Sequence, residues 1–268
     1  MLRLGVVGGT GLLELALGDE ATGFGVQLIR EDSVLVETEW GSVPLTCLSI
    51  EHSGQEKELI FLQRHHDGSL GGFSRPPHNI EHRANISALA SAGCDAIVAV
   101  CSVGTLVDDF PPGMVGLADQ YIDFTGVATT FHDEKAEFTS VTRPFDVQLN
   151  EFLADLLRAN QNLSDEQRMS FTYWLTQGPQ FETPAEVAAI ASLGGHMVGM
   201  TMPREAKLAA ELAIPYVAIC ISSNWAAGCC KQDPTADLDH VAVSTEANSR
   251  LGPVWNAIYS CLDFEFES

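Results

Sequence analysis

The residues best able to do chemistry come in short groups, each directly after an apolar run. Gly8-Gly9-Thr10-Gly11 follows Arg3–Val7. Such a turn lets backbone N–H groups and a hydroxyl approach an anion, although its spacing is neither the dinucleotide-binding nor the P-loop one, and it equally serves as a tight βα turn. Gln63-Arg64-His65-His66 closes a second run and leads into Gly68–Gly72 and Pro76-Pro77. Arg64 can fork two hydrogen bonds onto a phosphate, the alternative being a solvated loop charge. Ser102-Val103-Gly104-Thr105 reads as a third small-residue turn. Between Thr176 and Ala227 three strand ends deliver Phe181-Glu182, Met200-Thr201 and Ser222-Ser223-Asn224. In α/β sheets ligands are held where strands end and loops begin, so these groups mark the expected site. Taken alone, Met200 and Phe181 also fit a core role, and Glu182 fits an acid at the start of the helix at Thr183-Pro184.

Those groups need strands and helices to aim them. Period and composition predict strands at Arg3–Val7, Val34–Glu37, Val43–Ile50, Glu58–Gln63, Ala96–Cys101, Leu117–Phe124, Ser170–Thr176 and Pro215–Ile221. Ala96–Cys101 is apolar throughout, as in a buried parallel sheet. Helices are predicted over Ile80–Ala92, Asp146–Asn160, from Thr183-Pro184, and after Thr201 with Ala206, Ala209, Leu212 and Ala213 as its apolar positions. Ala247, Leu251, Val254, Ile258 and Cys261 keep helical spacing near the C-terminus, and Gly252-Pro253 predicts a kink there. Asp237 and Asp239 suit that helix's N-terminal end. Thr125–Phe145 lacks periodicity and reads as a long surface excursion.

At 268 residues with 46% hydrophobic and 19% charged composition, the chain reads as one α/β domain, residues 1–268. A net charge of −22 with only four lysines excludes a non-specific nucleic-acid binder. No basic-then-apolar leader and no run of about 20 apolar residues is present, which predicts a cytoplasmic protein without membrane spans. Seven cysteines, with no CxxC spacing, read mostly as small core hydrophobes, Cys229-Cys230 being the oxidisable exception. His132-Asp133 lacks a second ligand pair, so no metal is expected.

Taken together, GGTGL, QRHH, QGPQFETPAE and GMT followed by a helix resemble the trimeric nucleoside phosphorylase family, closest to its 5′-methylthioadenosine and methylthioinosine branch, over about Arg3 to Gly228. The resemblance implies an α/β fold with a central mixed, partly barrel-like sheet, and a homotrimer with sites at subunit interfaces. It implies phosphorolysis without a cofactor: orthophosphate, a co-substrate, attacks C1′ of a purine nucleoside through an oxocarbenium-like transition state. It assigns Thr10, Arg64, His65, Ser102 and Thr201 to phosphate, Met200 to the ribose, and Phe181, Glu182 and Asn224 to the purine. Asn224 and His65 are the implied catalytic side chains. Asn224 stands where adenine-specific members carry Asp; its amide can donate to N7 or O6 while Glu182 accepts the N1 proton, so both favour a 6-oxopurine. Leu238 and Val241 match the apolar wall around a 5′-methylthio group, with His240 between them.

The chain departs from that pattern in several places. The His66–Pro77 loop is longer than usual, which leaves open which histidine of residues 65–78 faces phosphate. Met202-Pro203-Arg204-Glu205 displaces by one position the proline that follows GMT, and Glu81-His82 replaces an asparagine-tyrosine pair. The competing expectations are an inosine or guanosine phosphorylase, a nucleoside hydrolase using water, and a purine-binding protein without turnover.

Overall fold

The computed structural model describes residues 3–9, 12, 23–70, 75–238 and 251–266. One mixed sheet of nine strands runs through them: β1 (Arg3–Gly8), β2 (Val26–Thr38), β3 (Gly41–His52), β4 (Gln55–Gln63), β5 (Ala96–Thr105), β6 (Val115–Asp123), β7 (Ser170–Leu175), β8 (Met197–Gly199) and β9 (Tyr216–Trp225). Their spatial order is β2-β3-β4-β1-β5-β8-β7-β6-β9, and β9 returns to pair with β5. The second half therefore closes into a partial barrel, while β2 and β3 extend from it as a long antiparallel ribbon.

Burial explains the composition of the strands. β1 and the first half of β5 are covered on both faces, so Leu4, Val6, Val7 and Ala96 to Val100 are all fully buried apolar residues. β2 is exposed along most of its length, which is why Gln27, Arg30, Glu31 and Asp32 are tolerated in it. Its expected length was only Val34–Glu37, because polar residues on a solvated ribbon do not alternate clearly with apolar ones.

Five helices flank the sheet among the described residues: α1 (His82–Ser91), α2 (Val147–Asn160), α3 (Pro184–Ser192), α4 (Met202–Glu211) and α5 (Leu251–Ser260). Their starts follow from local chemistry. The Leu149 N–H donates to the Asp146 carboxylate at 2.8 Å, capping α2. Thr183 and Glu186 form a reciprocal capping box on α3, with Pro184 in the first turn where no N–H is needed. Pro253 lies within α5, and the residues directly before Leu251 lie outside the described ones. Ala247 and Asp239 lie outside the described residues.

Two further differences bear on the site. Ser102–Thr105 is not a turn but the end of β5, and Ser222–Asn224 lies inside β9, because each strand satisfies the other's backbone groups: Ser102 is opposite Ile221, and Gly104 is opposite Asn224. The register shifts between Val103 and Gly104. β8 is three residues long, too short to give a period in the sequence. The aperiodic excursion holds no regular element. It is fastened by Thr130 Oγ1 and the Phe131 N–H, which donate to Glu211 at 2.6 and 2.7 Å, and by Arg83 bridged to Asp133 at 3.0 Å. No described helix is long and apolar enough to cross a membrane.

Candidate active site

The ends of β1, β4 and β5 meet the start of α4 around one buried ion pair. Arg64 directly follows β4, and its backbone N–H donates to the Gly8 carbonyl at 2.7 Å. Its Nε and Nη2 donate to the two carboxylate oxygens of Glu205 at 2.5 and 3.0 Å, and Nη1 donates to the Val100 carbonyl at 3.0 Å. Both side chains are buried. Burial opposes both charges, but the mutual attraction wins: Arg64 is raised well above the usual arginine range and the Glu205 carboxyl is held well below the carboxylate range. The fork expected for phosphate is thus spent on Glu205, and Arg64 keeps one Nη1 N–H, beside the backbone of Gly9, where a side chain would collide with it. Glu205 also accepts from the Tyr216 hydroxyl at 2.9 Å, and His82 Nδ1 lies 3.5 Å away.

The structure distinguishes His65 from His66. His66 uses both ring nitrogens internally: Nε2 donates to Asn85 Oδ1 at 2.7 Å, and Nδ1 accepts from the Gly68 N–H at 3.0 Å. His65 Nδ1 lies 2.8 Å from the Arg75 carbonyl, which can only accept, so Nδ1 carries the proton and Nε2 is left with a lone pair. Burial, against the bond to Arg75, lowers the His65 pKa to about 4, so the ring is neutral at physiological pH. A neutral ring of that tautomer can accept a hydrogen bond from a protonated phosphate oxygen. The pKa also sets a pH dependence. The unfolded ring takes up a proton near pH 6.5 and the folded one only near 4, so stability falls as pH drops through that window. His65→Gln should flatten this acid-side loss, which urea unfolding at a series of pH values measures.

Cys101 joins the ion pair to the α4 start: Arg64 Nη2 lies 3.6 Å from its sulfur, and its thiol is hydrogen-bonded to Thr201. Thr201 precedes the first turn of α4 without capping it by its side chain, so the hydroxyl is not committed to the helix. The next residue along β5, Ser102, has a buried hydroxyl with no partner. Thr10 lies outside the described residues.

The nucleoside half begins where β7 ends. The Thr176 N–H donates to the Gly199 carbonyl at 2.9 Å, seating the following loop against the end of β8. Gly178 has φ of +64°, and a Cβ there would lie 2.5 Å from Met200 Sδ, so only glycine lets this loop close over Met200. Phe181 is half-buried, and Glu182 is buried with Oε1 unpartnered. Burial lifts the Glu182 pKa, against a hydrogen bond with Thr176. The helix-start function belongs to Glu186, which completes the box on Thr183, so α3 does not require Glu182.

Asn224 faces Gly104 across the β5–β9 pair, where a Cβ on Gly104 would come within 3.3 Å of its amide nitrogen. Its Nδ2 donates to the Trp225 carbonyl at 2.8 Å and its Oδ1 accepts from the Ser223 hydroxyl at 3.0 Å, leaving one amide N–H. Because Ser102 and Asn224 lie near the ends of paired strands, the two halves of the site share one rigid floor. Leu238 is half-buried in the loop after β9, and Val241 lies outside the described residues.

Glu205 was not among the expected site residues, since a glutamate in a helix ordinarily faces water. Its position carries a signal nonetheless: Met202, Glu205, Ala206 and Ala209 stand at i, i+3, i+4 and i+7, so the acid falls on the buried stripe. Among the described residues no group of three or more His, Cys, Asp or Glu could hold a metal ion.

A sequence model described as the phosphorylase superfamily matches residues 3–258. A probable S-methyl-5′-thioinosine phosphorylase of Methanopyrus kandleri is 36% identical over 230 residues, covering 85% of this chain and 80% of that protein. The 6-oxopurine nucleoside phosphorylase of Pyrococcus furiosus is 36% identical over 234 residues, covering 85% and 81%. Among solved structures, a methylthioadenosine phosphorylase from an antarctic soil metagenomic library superposes with a TM-score of 0.77 at 25% identity, over 98% of this chain and 86% of that one.

Proposed function

We propose, from the premise that this chain belongs to the phosphorylase superfamily, that it is a pentosyltransferase cleaving the N-glycosidic bond of 5′-methylthio purine nucleosides with orthophosphate. The products are the free purine and 5-methylthioribose 1-phosphate. The observation that carries the base preference is Glu182: a buried carboxylate oxygen without a partner is costly unless a ligand donor meets it, and the N1–H of a 6-oxopurine is such a donor. Asn224 supports the same base, since its remaining amide N–H can donate to N7 or O6 as negative charge builds on the leaving purine. On the opposite side of the sugar, the Ser102 and Thr201 hydroxyls, the residual Arg64 N–H and His65 Nε2 surround the proposed oxyanion position, with Thr10 as the further member. Met200 under the ribose and Leu238 and Val241 around the 5′ group complete the proposal.

A second reading, phosphorolysis of inosine or guanosine, is favoured by the likeness to a 6-oxopurine nucleoside phosphorylase. One methylthio group separates the two by about 1–3 kcal/mol. The test is a panel of methylthioinosine, methylthioadenosine, inosine and guanosine, each with and without phosphate. Methylthioinosine should be the best substrate, with purine release strictly dependent on phosphate. Release at an undiminished rate in phosphate-free buffer would identify a hydrolase, and tight binding without release a non-catalytic purine-binding protein.

The same proposal includes a homotrimer in the cytoplasm. The homotrimer is supported by exposed apolar side chains at and after the end of β6, where Phe124 and Phe138 are 73% and 95% exposed.

A further inference from the structure

Arg204 is a buried cation that the chemistry so far leaves unused. It stands at the third position of α4, next to Glu205, and is 5% exposed. Glu205 binds Arg64, whereas the Arg204 guanidinium binds residues that precede the helix. Its Nη1 donates to the Met200 carbonyl at 3.2 Å and its Nη2 to Gln177 Oε1 at 3.5 Å. Its Nε is buried without a partner. No carboxylate of the described residues forms an ion pair with it; the Asp123 charge acts on it from a distance, and Asp123 is itself bridged to Lys207. Burying an arginine without a paired acid is costly, and its two hydrogen bonds to neutral acceptors offset only part of that cost.

What the two contacts join is specific. Met200 is the last residue before Thr201, and its sulfur packs on Gly178. Gln177 is the second residue of the loop that carries Phe181 and Glu182, and it is exposed at the surface of that loop. Apart from Arg204, the described bonds between the two segments are those of Thr176 to the Gly199 carbonyl, at the loop's first residue. We propose that Arg204 is a positioning residue for the nucleoside: its guanidinium fastens the Met200 carbonyl to the Gln177 side chain and so fixes the gap between the ribose-facing sulfur and the purine-facing loop. The contact also sets the Gln177 amide. With Oε1 held by a donor, the Nε2 group is turned outward, able to donate to a substrate oxygen. The displaced proline makes the arrangement possible, because Pro203 occupies the second helical position and leaves the third for a side chain that reaches back over the helix start.

This inference rests on the proposed nucleoside phosphorolysis, so the wild-type protein is first assayed for phosphate-dependent purine release; failure there removes the activity, not the clamp alone. Given activity, Arg204→Met, Arg204→Lys and Gln177→Leu are compared by steady-state kinetics with methylthioinosine and phosphate varied separately. Arg204→Met should raise the nucleoside KM about tenfold and leave the phosphate KM within twofold. Arg204→Lys, which can reach one acceptor but not fork to two, should recover part of the loss. Gln177→Leu, at an exposed position that tolerates substitution, should raise the nucleoside KM alone, and adding Arg204→Met to it should cause little further change. Equal rises in both KM values, unchanged KM values with only a lowered melting temperature, or fully additive effects of the two substitutions would overturn the assignment. Should Arg204→Met not fold, the Arg204→Lys and Gln177→Leu results decide it by the same criteria.

Discussion

Glu205→Gln should lower stability by about 3–5 kcal/mol, because it leaves the Arg64 guanidinium charged and buried with no opposing charge. For a chain of this size that is a fall of roughly 10 °C in the melting temperature, read by calorimetry or circular dichroism. The comparison that identifies the cause is Arg64→Met combined with Glu205→Leu. Removing both charges together removes their desolvation cost as well as their attraction, so the double variant should regain most of the lost stability. Its phosphate dependence should nevertheless be impaired, since the Nη1 donor beside Gly9 is gone. If the double variant is as unstable as Glu205→Gln, packing and not charge holds β1, β4, β5 and α4 together at this point.

The second large effect concerns Asn224. If its free N–H meets negative charge developing on a 6-oxopurine, Asn224→Ala should lower kcat with methylthioinosine by about 10²-fold, the effect of removing one such donor in comparable sites, with a much smaller change in KM. Asn224→Asp should act differently: a carboxylate repels O6 but accepts from a 6-amino group, so the preference between methylthioinosine and methylthioadenosine should shift toward the latter. The carboxylate also loses the donor that now bonds the Trp225 carbonyl, while keeping an acceptor for the Ser223 hydroxyl. An unchanged preference in the substrate panel would remove Asn224 from base recognition.

The strands that build the barrel were legible because burial on both faces demands apolar residues; Ala96–Cys101 and Pro215–Ile221 are such runs. Where strands stop was less legible. Ser102–Thr105 and Ser222–Asn224 look like turn sequences, yet each pairs with the other, and no local pattern reports a partner more than a hundred residues away. Arg64 shows the same limit in the site. Its side chain and its place after a strand pointed to an anion, but whether that anion belongs to a ligand or to the protein depends on Glu205, which is brought beside it only by the packing of α4. The two histidines could not be ranked from the sequence, because the carbonyl of Arg75 and the amide of Asn85 distinguish them. Glu182 was legible as a polar residue after a strand, and its alternative as a helix-start acid fell only when Thr183 and Glu186 were seen to cap each other.

The return of β9 to β5 has one more consequence. A sheet that folds back on itself leaves a single open flank among the described strands, and that flank is β2. A strand of 13 residues paired on one edge only, with Ile29, Val34 and Leu35 at the surface, invites another chain to add on alongside. Two features of this strand discourage such growth: the irregularity between Leu28 and Arg30, which spoils a matching ladder, and the adjoining charges Arg30, Glu31 and Asp32, which would have to be stripped of water. Protection against fibril-like association is therefore concentrated in about five residues, none of them among the site residues, and free to vary independently of the chemistry.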